Sequence, residues 1–127
     1  MEYDVTFLSG TAPSGQTRSG RLIQLSADST ACILHFSSEG ESLLLGDVRR
    51  ISSDALPLPS AEDLALLGLK DGEPVPADMH IFCRMSIPFE RPQDAGFDLS
   101  RIVFVYGGRA LEVERPGGAI VPLVVRR

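Results

Sequence analysis

No apolar run in this chain reaches the roughly 20 residues of a membrane-spanning helix. The opening MEYDVTFLSG is acidic and alternating, unlike a secretory leader, so a cytosolic protein is expected. Tryptophan is absent, and there are two cysteines, two histidines and one lysine, Lys70. Eleven of the twelve basic residues are arginine, which reads as codon bias from a GC-rich, bacterial genome. There is no phosphate-binding glycine loop followed by Lys-Ser/Thr, no dinucleotide fingerprint, no nucleophile elbow and no kinase signature. With two histidines, both placed mid-strand, a Ser-His-Asp or Cys-His device has no support in the pattern. No enzyme is expected and no cofactor is implied.

Charge narrows the partners. The net charge is −5, distributed unevenly. Residues 1–96 carry 14 acidic and 7 basic side chains, and residues 97–127 carry 3 and 5. An acidic body disfavours nucleic acid, whose phosphates need neutralising. It suits a basic protein partner equally well as no partner at all.

What is present is β pattern. At 127 residues the chain is one domain, 1–127, long enough for a real core. The end reads FDLSRIVFVYGGRALEVERPGGAIVPLVVRR, three β-branched runs punctuated by Gly107-Gly108 and Pro116-Gly117-Gly118. Gly-Gly between apolar runs is a two-residue hairpin turn, because glycine takes positive φ without strain. That turn sets Tyr106 opposite Arg109, Phe104 opposite Leu111 and Ile102 opposite Val113. Glu112 and Glu114 alternate with Leu111 and Val113, so the second strand is expected to be wet on one side. Val103 and Val105 make the other face of the first strand apolar too. It is expected to be central, covered on both sides by protein or by a partner. The second glycine pair is also read as a hairpin turn, giving a three-stranded meander. Pro122 lacks a donor and makes the last run an edge or bulged strand.

Upstream, Glu2 to Leu8 alternates as a half-buried strand, and Ser9 to Gly20 reads as a long loop. Arg21 to Leu25 and Thr30 to Phe36 flank a turn, and Ser42 to Ile51 reads as a strand bent near Gly46. The spacing from Gly20 to Ile51 is loosely that of a small SH3-like or Sm-like barrel. Ser60 with Asp63 forms a capping-box pattern, predicting a helix over 61–69. Asp78 to Ile87 is a strand, and Pro88 to Gly96 a polar loop. The expectation is a mainly β domain, an antiparallel open barrel or sandwich of seven or eight short strands with one short helix.

Several residues carry potential chemistry. Cys32-x-x-His35 and His80-x-x-Cys83 are mirrored pairs whose residue types suit zinc. On strands, however, positions i and i+3 point to opposite faces, and neither segment contains a turn residue. Both cysteines fall on the more apolar face, as buried free thiols do. No metal is therefore expected. If the two strands were antiparallel neighbours with Cys32 opposite Cys83, His35 would fall opposite His80. Glu90, Arg91, Asp94, Asp98 and Arg101 gather charge at the second long loop, where binding residues often reside. Arg49-Arg50 resembles the start of the arginine motif of PilZ barrels, but the Asp/Asn-x-Ser-x-x-Gly partner motif is absent, and the family is not assigned.

The functional expectation is a non-catalytic protein-binding module, an acidic inhibitor, immunity-type or adaptor protein. Two rivals stand beside it. One is a small-ligand or nucleotide-binding barrel with a pocket lined by Arg21, Arg49 and Arg50. The other is a homo-oligomeric assembly subunit read from the doubly apolar strand Ile102 to Tyr106.

Overall fold

A computed structural model describes residues 2–9, 17–24, 30–36, 40–51, 57–70, 74–86, 90, 95–115, 117 and 120–122. Eight strands run in chain order: β1 (Glu2–Ser9), β2 (Thr17–Ile23), β3 (Ala31–Phe36), β4 (Glu41–Asp47), β5 (His80–Ser86), β6 (Gly96–Tyr106), β7 (Arg109–Glu114) and β8 (Ile120–Pro122). Two short helices, α1 (Val48–Ile51) and α2 (Ala61–Leu66), lie between β4 and β5. Strands β1 to β7 pair in sequence order, each antiparallel to the last, and β7 returns to pair with β1. The barrel is thus closed, not open. An up-and-down meander with an odd number of strands brings its first and last strands together running the same way. The β1–β7 ladder is accordingly parallel, from Thr6↔Arg109 to Ser9↔Glu112.

The barrel has two apolar layers. Inside lie Val5, Phe7, Leu22, Cys32, Leu34, Phe36, Leu43, Leu45, Phe82, Val103, Val105 and Ala110. A barrel of this strand number is just wide enough to be filled by side chains. Phe7 and Phe36 meet edge to face at 5.2 Å there. Outside, the β4–β5 connection lays Val48, Leu67 and Met79 over Ile81, Cys83, Ile102, Phe104, Leu111 and Val113. This second layer explains β6. Val103 and Val105 fill the lumen while Ile102 and Phe104 lie under the chain's own covering layer. No partner is needed to bury either face.

Polar contacts hold that layer down. Ser60 caps α2, with Ser60 Oγ accepting from the Asp63 N–H and the Asp63 carboxylate accepting from the Ser60 N–H. Arg115 donates to Leu58 O at 3.0 Å and to Asp63 Oδ2 at 3.1 Å. Arg109 donates to Leu66 O at 3.0 Å from the other end of β7.

The hairpin register is as expected, with Tyr106↔Arg109, Phe104↔Leu111 and Ile102↔Val113, and Gly107 and Gly108 both at positive φ. Other expectations need correction. The three-stranded meander is not formed, and the turn read at Pro116-Gly117-Gly118 lies, apart from Gly117, outside the described residues. β8 pairs with Gly96–Asp98 of β6, on the edge opposite β5 and therefore on the same edge as β7. The Arg115 N–H to Ser100 O bond continues the β7 line toward it. Glu112 is not wet but buried at 9% exposure, because the second face of β7 is the lumen. The strand expected over 42–51 ends at Asp47, whose Oδ1 accepts the Arg49 N–H and starts the single turn of α1. The segment from Gly20 to Ile51 is part of the wall of the larger barrel, not a small barrel of its own. β1 takes in Ser9 and β2 starts at Thr17, so both ends of the expected 9–20 loop are strand, and 10–16 lie outside the described residues.

Candidate functional site

The charged residues singled out in the sequence do not converge. Arg49 and Arg50 sit beside Asp47, at the end of the barrel where β4 finishes. Arg49 donates to Met79 O at 2.9 Å, and Arg50 Nε lies 3.8 Å from Asp47 Oδ2. Asp98 and Arg101 lie at the other end, on the part of β6 facing the last residues of β5 and β7. Asp98 Oδ1 accepts the Ser100 N–H at 3.0 Å and the Ser100 hydroxyl at 2.5 Å. Arg101 stands 4.0 Å from Glu114. Glu90 is exposed, and Arg91 and Asp94 lie outside the described residues.

The Cys and His pairs diverge as strand geometry requires. Cys32 lies in the lumen, and His35 on the outer wall bonds through Nδ1 to Ser42 Oγ at 2.8 Å. Cys83 lies under the covering layer, while His80 stacks on Phe82 at 5.7 Å. β3 and β5 are not neighbours, since β4 runs between them. The conditional pairing of Cys32 with Cys83 and of His35 with His80 therefore does not occur. Among the described residues no group of three or more His, Cys, Asp or Glu could hold a metal. Burial, with Asp47 adding to it, pushes the Cys32 thiol up to about 12. Burial does the same to Cys83, helped by Asp98 and Asp47 against hydrogen bonds from backbone groups.

Two features of the wall have site-like geometry. The first is its outer face across β1 to β4, which the covering layer does not reach. Direct cross-strand pairing aligns Asp4, Arg21, His35 and Ser42 in one polar row. Arg21 is held by Asp4 at 3.3 Å and Glu2 at 3.6 Å. This row borders an open groove of ≈ 510 Å³ that also takes in Thr6, Ser19 and Gly108. Arg21 lines it, but Arg49 and Arg50 do not. The adjacent row is Glu2, Ile23, Ile33 and Leu44, in which Ile33 is 38% and Leu44 39% exposed. Leu58, Leu66 and Ile120 are also exposed, but they belong to the other side of the molecule, on the covering layer and β8.

The second feature is the seam between β4 and β5. Among the described residues its ladder holds Leu45↔Arg84, Gly46↔Cys83 and Asp47↔Phe82. Ser42, Leu43, Leu44, Arg84 and Met85 line a cleft of ≈ 200 Å³ beside it. Behind it Arg84 and Glu112 form an ion pair across the lumen. The facing atoms Nε and Oε2 are buried and make no hydrogen bond among the described residues. At the same end Arg18 pairs with Glu41 at 3.2 Å, its guanidinium 4.0 Å from the Phe36 ring centre.

Sequence reasoning missed Arg18, Arg84 and Glu112 as paired groups, because Arg18 fell in a segment read as loop, Glu112 was read as a wet position, and the partners of all three lie on other strands. It also passed over Ile33 and Leu44. Their signal was present in Ile33, an apolar residue alternating onto the His35 face of β3. No family model matches the chain, and no curated protein matches it. No helix among the described residues is long and apolar enough to cross a membrane.

Proposed function

We propose that the chain is a non-catalytic protein-binding module that engages a basic protein, in the manner of an acidic inhibitor, immunity-type or adaptor protein of the bacterial cytosol. The observation that supports it is the unequal covering of the barrel. The chain spreads an apolar layer over the outer faces of β5 to β7, yet leaves Ile33 and Leu44 side by side and exposed on β3 and β4. Adjacent exposed apolar side chains rimmed by charge are the common signature of a protein contact. The net charge of −5 favours a basic partner through complementary potential.

Affinity capture from the source lysate, read by mass spectrometry, tests this. The parent should retain one stoichiometric basic protein, and the Ile33→Glu, Leu44→Glu double variant should lose it while remaining folded. No capture by the parent, or equal capture by the variant, refutes the reading. A second reading rests on the groove of Arg21 and His35, whose polar lining suits a small anionic ligand. It requires a nucleotide to shift the His35 resonances and Arg21→Ala to weaken that response. The assembly reading loses its motive, since both faces of Ile102 to Tyr106 are covered within the molecule.

A further inference from the structure

We infer that the groove on the outer face of β1 and β2 receives one arginine side chain of the partner protein, whose apolar neighbours rest on Ile33 and Leu44. This rests on the protein-binding reading above and specifies which side chains of the partner the face selects.

The groove follows from the alternation of the strands. Val5 and Gly20 pair directly, and both face the lumen, where a Cβ on Gly20 would come within 3.1 Å of Leu34 and Phe36. Their outer side is therefore bare backbone, which forms the floor. On one flank stands the row of Asp4, Arg21 and His35, with His35 held by Ser42 at 2.8 Å. On the other flank Thr6 pairs with Ser19, and both side chains are short. Gly108, whose carbonyl accepts from the Thr6 N–H at 2.8 Å, borders the groove without a side chain. The depression measures ≈ 510 Å³, and every residue that lines it lies among the described ones.

Charge decides the occupant. Two carboxylates, Glu2 and Asp4, stand around one guanidinium, Arg21, whose Nη1 and Nε are directed at Glu2 Oε2 and Asp4 Oδ1. An anion entering the groove would have to displace these contacts and would meet two negative charges. A cation meets the remaining oxygen of Asp4, with the Thr6 and Ser19 hydroxyls beside it as further acceptors. The net charge of −5 acts in the same sense at longer range. A guanidinium matches this lining better than an ammonium. Its five donors in one plane serve a carboxylate and two separate hydroxyls at once, whereas an ammonium is a compact point charge. The apolar contact lies within reach. Ile33 is two residues from His35 on the same face of β3, about 7 Å along the strand, and Leu44 pairs with it. An arginine anchor flanked by apolar contacts is a common composition of a binding hot spot.

The probe is the peptide Ac-Leu-Arg-Leu-NH2, titrated into isotope-labelled full chain. Saturable amide shifts should centre on Thr6, Ser19, Gly20 and Gly108 and extend to Ile33 and Leu44. The citrulline analogue keeps the shape without the charge and should bind about tenfold more weakly. Asp4→Asn should weaken the arginine peptide to the same degree, and the Asp4 side chain is 85% exposed, so the variant folds. No saturable shift up to tens of millimolar peptide, shifts centred elsewhere, equal binding of the citrulline analogue, or an Asp4→Asn chain that binds like the parent overturns the inference. Ac-Leu-Glu-Leu-NH2 presents the opposite charge. If it binds at the same amides more tightly than the arginine peptide, the groove belongs to an anionic ligand and the inference is overturned. Finally, Thr6→Arg fills the groove from an exposed position on β1. If the parent captures a basic protein and Thr6→Arg captures it equally, the arginine site fails and the binding reading stands. If the parent captures none, the binding reading fails.

Discussion

Gly46 lies inside β4 without a positive φ, so its backbone conformation does not require glycine. Space does. A Cβ built there would lie 2.3 Å from both Cδ1 and Cε1 of the Phe97 ring. Carbon atoms pack at about 3.5–4.0 Å, so ring and strand must separate by more than about 1 Å. Neither moves easily. Phe97 is 7% exposed and is held in register by Met85 and Val121. Its neighbour Gly96 is itself wedged against the Val121 carbonyl, 2.6 Å from where a Cβ would sit. Gly46 is held in ladders on both sides, opposite Ala31 and opposite Cys83. Overpacking of this kind costs about 1–3 kcal/mol. The lower chain entropy of alanine offsets about 0.5–1 kcal/mol of it. Gly46→Ala should therefore lose about 1–2 kcal/mol in urea unfolding, with the slope unchanged, and melt several degrees lower. A double-mutant cycle locates the cause. In the Phe97→Leu background the same substitution should cost at least about 1 kcal/mol less, since the opposed ring is gone. A Gly46→Ala protein as stable as the parent, or a cycle that adds up, refutes the close approach.

Two further outcomes are expected. Arg84→Met leaves the buried Glu112 carboxylate without its counter-charge and should cost about 2–3 kcal/mol, below the usual range for a fully buried pair because the Arg84 side chain is 28% exposed. Adding Glu112→Leu should recover most of that loss in urea unfolding, and a single variant as stable as the parent shows the pair to be dispensable. Cys32 and Cys83, with thiols near 12, should be about one part in ten thousand thiolate at pH 8, against about a tenth for a thiol at its ordinary value of 9.0, so the native protein should react with a disulfide reagent over a hundredfold more slowly than the unfolded chain. Because the folded thiols titrate above their ordinary value of 9.0, their contribution to stability is fully present below pH 9 and is lost as pH rises toward 12. The Cys32→Ala, Cys83→Ala double variant should show a shallower decline over that window, and an equal decline would place the alkaline sensitivity elsewhere.

Local grammar was legible in the chain. The Gly107-Gly108 turn fixed the β6–β7 register residue by residue, and Ser60 with Asp63 marked the start of α2. The opposed faces of Cys32 and His35 followed from period two alone. Features that depend on distant partners were not legible. Arg18-Ser19-Gly20 reads as loop, yet it is strand, because Arg18 lays its guanidinium over Phe36 and Gly20 leaves room for Leu34 and Phe36. Glu112 reads as a wet position until Arg84, on a strand two places away, supplies its counter-charge. The charged cluster read into 90–101 followed sequence proximity. Asp98 instead bonds Ser100, and Arg101 reaches toward Glu114.

Closure of the barrel was the hardest feature to anticipate, because it has no local signal. The other six barrel seams join strands adjacent in sequence, and all are antiparallel. The seventh joins the first strand to the last and is parallel because the count is odd. Closure removes the two outer edges that an open sheet would expose, which is the strongest protection a β protein has against unwanted pairing.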